Sequence, residues 1–249
     1  MDLTDKVAVV TGGSRGIGRA TAIMLAKRGA KVVVHDMTDA ACAEEVAAYI
    51  REEGGEALAV QGDMCDADEM GRIIDNAAKK FGSVDILVMS ANLPFARKPF
   101  AEMAWAEFAQ KLNDEMRAAF VTTQAVIPGM IKRRSGRLIY VSSTLGKDPS
   151  PHMIALGTAK GSLDTFAAYI AQEFGTYGIT ANVVAPGLVQ ADEAAELTEQ
   201  EMSVIGSFTP LGRVAVPEDV AGVISFLAGG DAGFVTGTYT PVTGGLVME

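Results

Sequence analysis

The strongest constraint on the fold is a regular alternation of short β-branched apolar runs with longer segments of helical periodicity. The apolar runs are nearly continuous in hydrophobicity, which is typical of strands covered on both faces. They predict strands at 6–11, 31–36, 57–62, 86–90, 137–143, 180–186 and 238–242. The amphipathic segments predict helices at 16–28, 40–53, 67–81, 104–132, 154–176 and 217–228. The alternation predicts one α/β domain over 1–249, a single doubly wound parallel sheet with helices on both faces.

The composition excludes several classes of partner. The 249 residues include 31 acidic and 21 basic side chains, so the formal net charge is −10. This charge repels nucleic acid and anionic membrane surfaces, and no run of about 18 apolar residues is present. Cys42 and Cys65 have no neighbours at metal-ligand spacing, and the N-terminus does not resemble a signal peptide. We expect a cytoplasmic protein with a small-molecule ligand, no metal, no nucleic acid and no membrane partner.

One long connection breaks the alternation. Residues 188–217 follow the sixth predicted strand, at the edge where open α/β sheets bind ligands. The segment is either a lid over that site or an acidic surface helix, and the two interpretations are compatible. Its apolar side chains favour an apolar substrate; they are Leu197, Met202, Val204, Ile205 and Phe208.

A glycine-rich turn joins the first strand to the first helix. The sequence "VVTGGSRGIGRA" places glycines at Gly12, Gly16 and Gly18. Such a turn lets the backbone approach a diphosphate, whose charge the helix N-terminus stabilises. The spacing differs from the G-x-G-x-x-G of other dinucleotide folds. A plain tight turn is the alternative.

The end of the second strand bears on the choice of dinucleotide. Asp36 lies where an acidic side chain can bind the adenosine ribose hydroxyls and repel a 2′-phosphate, which favours NAD. Arg15, in the glycine turn, could instead pair with that phosphate. We expect NAD, with NADP as the alternative.

Three motifs, taken in order and spacing, carry a resemblance to a known family. "TGGSRGIG" (11–18), "GITANVVAPG" (178–187) and "VTGTYTPVTGGL" (235–246) together resemble the short-chain dehydrogenase/reductase family along essentially the whole chain. The resemblance implies a Rossmann-type fold, an NAD(P)-dependent oxidoreductase and a homotetramer. It also implies cofactor contacts from residues Gly12, Ser14, Arg15, Gly16, Ile17, Gly18, Asp36, Asp63, Met64, Ser90, Ala91, Asn92, Lys160, Pro186 and Gly187.

The implied active site is incomplete. The family uses a serine, a tyrosine and a lysine, and the matching positions here hold Ser143, Leu156 and Lys160. An earlier tyrosine position, used by enoyl reductases of the same fold, is Met153. The family's helix asparagine falls at Glu115, and the threonine expected after Gly187 is Ala191, so the protein is expected to be an atypical member that lacks the tyrosine.

Two side chains could carry the proton instead. Glu115 is expected beside Lys160, where a coupled carboxylate and ammonium could relay protons. His152, beside the earlier tyrosine position, is the second candidate, because an imidazole can act as an acid or a base. The alternatives are a structural ion pair for Glu115 and Lys160, and an exposed loop imidazole for His152.

The function most consistent with these residues is carbonyl or enoyl thioester reduction of an apolar substrate. Enoyl reduction tolerates loss of the tyrosine best, because an enolate needs stabilisation more than immediate protonation. Ser143 could meet part of that need. A catalytically inactive dinucleotide-binding protein and a non-redox enzyme, such as a dehydratase or cyclase, remain open alternatives.

Overall fold

The structure is a computed structural model and describes residues 2–190 and 198–248. Across these residues a seven-stranded, wholly parallel sheet has the order β3-β2-β1-β4-β5-β6-β7. The strands are β1 (Val7–Thr11), β2 (Lys31–Asp36), β3 (Ala57–Gln61), β4 (Ile86–Met89), β5 (Gly136–Val141), β6 (Ile179–Pro186) and β7 (Tyr239–Val242). The doubly wound α/β fold predicted from the sequence is confirmed.

The helices follow the predicted segments closely. They are α1 (Gly16–Lys27), α2 (Ala40–Glu52), α3 (Ala67–Phe81), α4 (Trp105–Arg133), α5 (Ile154–Phe174), α6 (Glu199–Phe208) and α7 (Pro217–Ala228). Local chemistry sets several of their starts: Asp66 caps α3 by accepting from the N–H groups of Asp68 and Glu69. In the part of the chain that the structure describes, no helix combines the length and apolar character needed to cross a membrane.

The core has two layers, one on each face of the sheet. Val9 and Leu138 point to the layer that α3, α4 and α5 cover. Val10 and Ile139, their neighbours in the chain, point to the layer that α1, α2 and α7 cover. Both side-chain sets of each central strand are therefore buried, which explains the uninterrupted apolar runs.

The sheet changes winding direction between β1 and β4. β2 and β3 extend the sheet on one side of β1, while β4 to β7 extend it on the other. A crevice opens at the carboxyl ends of the strands on either side of such a reversal. The glycine turn after β1 and the loop after β4 both end there.

The segment predicted as a lid is described only in part. Residues 191–197, which include Ala191 and Leu197, lie outside the described residues. On either side of them, Val189 pairs with Ala215, so the two ends of the connection are held together. Helix α6 occupies the described part and presents Phe208 to solvent. The lid role stays a prediction.

Candidate active site

A cleft of about 390 Å³ lies at the carboxyl edge of the sheet. Most of the residues expected to bind a cofactor line this cleft; they are Gly12, Ser14, Arg15, Gly16, Ile17, Gly18, Asp36, Met64, Ser90, Ala91, Asn92, Lys160, Pro186 and Gly187. Ser143 and Leu156 line the same cleft. Sequence positions far apart in the chain therefore meet in one place.

The glycine turn keeps the start of α1 open. Gly12 has a φ of +62°, and a β-carbon there would lie 2.6 Å from the Cα atom of Ala91. No side chain caps the first turn of α1, and that turn contains no acidic residue. Its N–H groups and the positive end of the helix dipole therefore face the cleft without a neutralising partner from the helix itself. This arrangement fits a diphosphate.

Asp36 presents a carboxylate at the other end of the cleft. One oxygen accepts hydrogen bonds from the backbone N–H groups of Thr38 and Asp39, both at 2.9 Å, and the other accepts from the Ser14 hydroxyl. Partial burial would raise the pKa of Asp36, but these hydrogen bonds outweigh it and hold the pKa below its usual value. Arg15 is bound to Asp39 at 2.6 Å.

The loop after β4 lines the cleft opposite Asp36. The backbone N–H of Ser90 donates to the Thr11 hydroxyl at 3.2 Å. The Ser90 hydroxyl itself is buried and has no hydrogen-bond partner among the described residues. A buried hydroxyl without a partner is costly, so a polar group of a bound ligand fits there. Together with the open start of α1, this fits a dinucleotide lying across the crevice.

Ser143 lies where β5 ends. It precedes a single helical turn, and its hydroxyl oxygen accepts from the backbone N–H of Leu145 at 3.2 Å. This contact leaves the hydroxyl proton available to a ligand oxygen. Leu156 is half-buried on the first turn of α5, one turn before Lys160. No tyrosine occurs among the described residues that line the cleft.

A buried cluster of three charged side chains lies behind this wall. The Lys160 ammonium donates to Glu115 Oε1 at 2.7 Å and to the Val141 carbonyl at 2.9 Å. The second oxygen of Glu115 binds the Lys111 ammonium at 2.7 Å. Lys111 also donates to the Leu93 carbonyl at 2.9 Å. Glu115 thus bridges two lysines, and only Lys160 of the three lines the cleft.

Burial and charge act against each other in this cluster. Burial would raise the pKa of Glu115, but the two ammonium groups outweigh it and hold that pKa below its usual value. For Lys111 burial dominates, so its pKa is lowered despite the attraction of Glu115. The cluster with all three groups ionised carries one net positive charge.

Two residues that were predicted to contribute to the site, His152 and Asp63, lie outside the cleft, and so does Tyr140 of β5. His152 is exposed at a φ of +67° and lines a neighbouring groove with Lys98 and Phe100, outside the cleft. Asp63 is exposed and accepts from the backbone N–H of Cys65, and it does not line the cleft either. The roles predicted for these two residues stay predictions. Tyr140 is fully buried against Thr123, and burial raises its pKa, so it is a poor proton donor.

Lys111 was not among the site residues predicted from the sequence. The signal was present, because Lys111 precedes Glu115 by one helical turn, the spacing of an intrahelical ion pair. A charged residue at a position that faces the core is a second signal.

Comparisons with known proteins cover nearly the whole chain. The family described as enoyl-(acyl carrier protein) reductase matches residues 12–247. A 3-oxoacyl-[acyl-carrier-protein] reductase of Synechocystis sp. is 38% identical, covering 99% of this chain and 98% of that protein. A cis-4-hydroxycyclohexanecarboxylate dehydrogenase of Sinomonas cyclohexanicum is 34% identical over 97% and 96% of the two chains.

Solved structures show the same fold. A double mutant of a short-chain dehydrogenase/reductase from Serratia marcescens superposes with a TM-score of 0.89 at 31% identity, covering 99% of both chains. A dehydrogenase/reductase from Sinorhizobium meliloti 1021 gives a TM-score of 0.90 at 32% identity, covering 99% of this chain and 97% of the other. The matches in sequence and in fold cover almost the whole chain, and the chain belongs to the short-chain dehydrogenase/reductase family of oxidoreductases.

Proposed function

We propose that this protein is an NAD(H)-dependent reductase of apolar acyl thioesters, acting on the enoyl or the carbonyl group. The observation that carries the proposal is the Lys160 ammonium, which lines the cleft with two of its three protons bound to protein oxygens. The third proton is free to meet a ligand oxygen. Similarity to an acyl carrier protein reductase supports a thioester substrate.

The chain's own residues would hold the cofactor across the crevice. The open start of α1 would bind the diphosphate, Asp36 the adenosine ribose, and Ser90 a polar group on the nicotinamide side. When bound, the nicotinamide supplies hydride to the substrate carbon. NAD(H) is favoured over NADP(H) because the Asp36 carboxylate would repel a 2′-phosphate, while Arg15 is already bound to Asp39.

Ser143 and Lys160 would then stabilise charge on the substrate oxygen. The Ser143 hydroxyl can donate a proton in a hydrogen bond, because its oxygen already accepts from Leu145. Lys160 contributes a cation and a transferable proton from a buried position in the wall of the cleft. In this proposal Leu156 occupies the place of the family's tyrosine, and Lys160 is the acid. Glu115 lies behind Lys160, where its carboxylate would hold the ammonium in place, and the proton that Lys160 gives up would be replaced from water entering the cleft.

An enoyl substrate suits this site best. Hydride addition to the β-carbon leaves negative charge on the thioester oxygen, which Ser143 and Lys160 can both contact. Ketone reduction needs a proton on the oxygen as hydride arrives, so it depends more strongly on a well-placed acid. We therefore expect faster turnover of enoyl thioesters than of 3-oxoacyl thioesters. Helix α6, in the described part of the predicted lid, would supply apolar contacts to the acyl chain.

Titration followed by a substrate screen tests the proposal. Calorimetry with NAD(H) and NADP(H) should show tighter binding of NAD(H), and NADH oxidation should then be followed with enoyl and 3-oxoacyl thioesters of increasing chain length. Lys160→Met and Ser143→Ala should each lower kcat, with Thr158→Ala, on the exposed side of α5, as the control. Absence of hydride transfer to every thioester would overturn the proposal.

A second candidate is a dinucleotide-binding protein without turnover. The observation that favours it is the tight enclosure of Lys160 by Glu115 and Val141, which is also what a purely structural ion pair requires. In the same experiment, this second candidate function predicts cofactor binding with no turnover of any thioester.

A further inference from the structure

Lys111 is a fully buried charge that the proposed reaction does not use directly. Its side chain has no exposed surface, and the ring of Phe95 lies 5.8 Å from its ammonium. Burying an ammonium is costly unless several partners compensate for the lost water. Lys111 has two such partners, Glu115 Oε2 and the Leu93 carbonyl.

Its first effect is on the charge beside the cleft. Glu115 alone would neutralise Lys160 and form a buried pair with no net charge. With Lys111 present, Glu115 is shared between two cations, one on each oxygen, at 2.7 Å in both cases. The attraction that Glu115 exerts on the Lys160 proton is therefore partly opposed by Lys111.

Its second effect is on geometry. The ion pair at Oε2 and the hydrogen bond at Oε1 place one ammonium beside each oxygen of the carboxylate, with Oε1 facing Lys160. The contact with Leu93 ties α4 to the loop after β4, and Leu93 itself lines the cleft. One ammonium group thus connects two walls of the site.

From these contacts we propose that Lys111 is a positioning residue that sets the orientation and acidity of Lys160 through Glu115. The inference rests on the proposed function, because Lys160 is the acid there. Removing the charge of Lys111 leaves Glu115 to hold the Lys160 proton more tightly. Lys160 then gives up its proton less readily.

Three variants separate this role from simple support of the fold. Lys111→Met keeps the aliphatic length and removes the charge. Glu115→Gln leaves the ammonium groups of Lys111 and Lys160 without the carboxylate between them. The double variant removes one charge of each sign, so Lys160 is the only cation left in the cluster. The net charge of the cluster is then the same as in the parent. Lys31→Met is the control, since Lys31 is paired with Glu56 at the opposite edge of the sheet.

The pH dependence of kcat gives the first measurement. The pH above which kcat falls, the basic limb of the profile, should be higher in Lys111→Met and lower in Glu115→Gln. The double variant should resemble the parent. At the parent's optimum, kcat of Lys111→Met should fall on the order of tenfold, and the double variant should recover most of it. Additive losses, or limbs that do not move, would overturn the proposal.

A measurement without turnover keeps the two proposals distinguishable. In protein labelled with ¹⁵N-lysine, the buried ammonium resonance that Lys160→Met removes should titrate in the same order across the variants, with and without NADH. If the parent reduces no thioester, the proposed function fails, while this titration order still decides whether Lys111 sets the acidity of Lys160. Thermal melting of each variant confirms that the compared proteins are folded.

Discussion

Gly18 packs so closely on Gly12 that a β-carbon at position 18 would lie 1.9 Å from the Gly12 carbonyl oxygen. The contact is with backbone, which cannot rotate away. The first turn of α1 therefore stays against the strand end only because residue 18 has no side chain. The same close contact leaves the N–H groups at the start of α1 directed into the cleft.

Gly18→Ala should displace the start of α1. We expect a loss of about 1–3 kcal/mol in the free energy of unfolding from the overpacked contact. Binding of NADH should weaken more than this loss explains, because the diphosphate site itself moves. Calorimetric titration of the folded variant measures the affinity, and urea unfolding measures the stability.

Gly71→Ala is the matched control for that variant. Gly71 lies within α3 and has open space where a β-carbon would be added. Alanine there should raise stability by up to about 1 kcal/mol through helix propensity and leave NADH binding unchanged. Equal NADH affinities of the two variants would show that the turn does not bind the cofactor.

The fold and the cofactor cleft were predictable because their signals are local. Continuous apolar runs and period-3.6 patterns report burial directly, and glycines at a strand–helix turn report a close backbone approach. Gly12, Asp36 and Lys160 therefore meet in the structure as their sequence positions indicated. The pairing of Glu115 with Lys160 was also expected, and the two lie 2.7 Å apart.

The rest depended on packing that a single sequence does not encode locally. Lys111 shares a face of α4 with Glu115, but only the packing of that helix against the sheet buries both side chains. His152 is directed to the neighbouring groove because its backbone adopts a φ of +67°, which the adjacent prolines and serine do not dictate. The position of the Asp63 side chain is likewise set by the path of the loop after β3.

Cofactor preference should depend on Asp36. Asp36→Asn removes the charge that would meet a 2′-phosphate, so NADPH should bind on the order of tenfold more tightly than it binds the parent. NADH should bind less tightly, because the ribose hydroxyls lose a charged acceptor. Fluorescence titration with both cofactors gives the ratio. Asp75→Asn, on the exposed side of α3, is the control, and an unchanged ratio in Asp36→Asn would contradict the assignment to NAD(H).

Position 156 should accept the missing phenol. Leu156 lines the cleft one turn before Lys160, so a tyrosine there would be placed near both the ammonium and Ser143. Leu156→Tyr should raise the rate of 3-oxoacyl reduction by about 10²–10⁴, the usual contribution of a general acid. Leu156→Phe supplies the ring without the hydroxyl and should give no such gain. If both variants respond alike, the effect is one of shape and not of proton transfer.

The assembly should be a homotetramer built through α4 and α5. Phe120 of α4 and Tyr169 of α5 are 54% and 72% exposed in the isolated chain, so both large aromatic side chains are available to pack against another copy. Phe120→Asp should therefore lower the mass measured by light scattering. Lys79→Asp, on the exposed surface of α3, should leave it unchanged. A monomeric parent protein at micromolar concentration would contradict the prediction.

Stability should depend on pH through Glu115. Its pKa in the folded protein lies below the ordinary glutamate value of 4.5, so its ionised form stabilises the fold. That contribution is fully present above pH 4.5 and is lost as the pH falls through the lower, folded-state pKa. Glu115→Gln leaves two buried cations without a counter-ion, and it should cost about 3–5 kcal/mol at neutral pH. The difference in unfolding free energy between parent and variant should shrink on acidification below pH 4.5, whereas Glu173→Gln, exposed on α5, should follow the parent at every pH. A constant difference across that range would mean that Glu115 acts through packing and not through its charge.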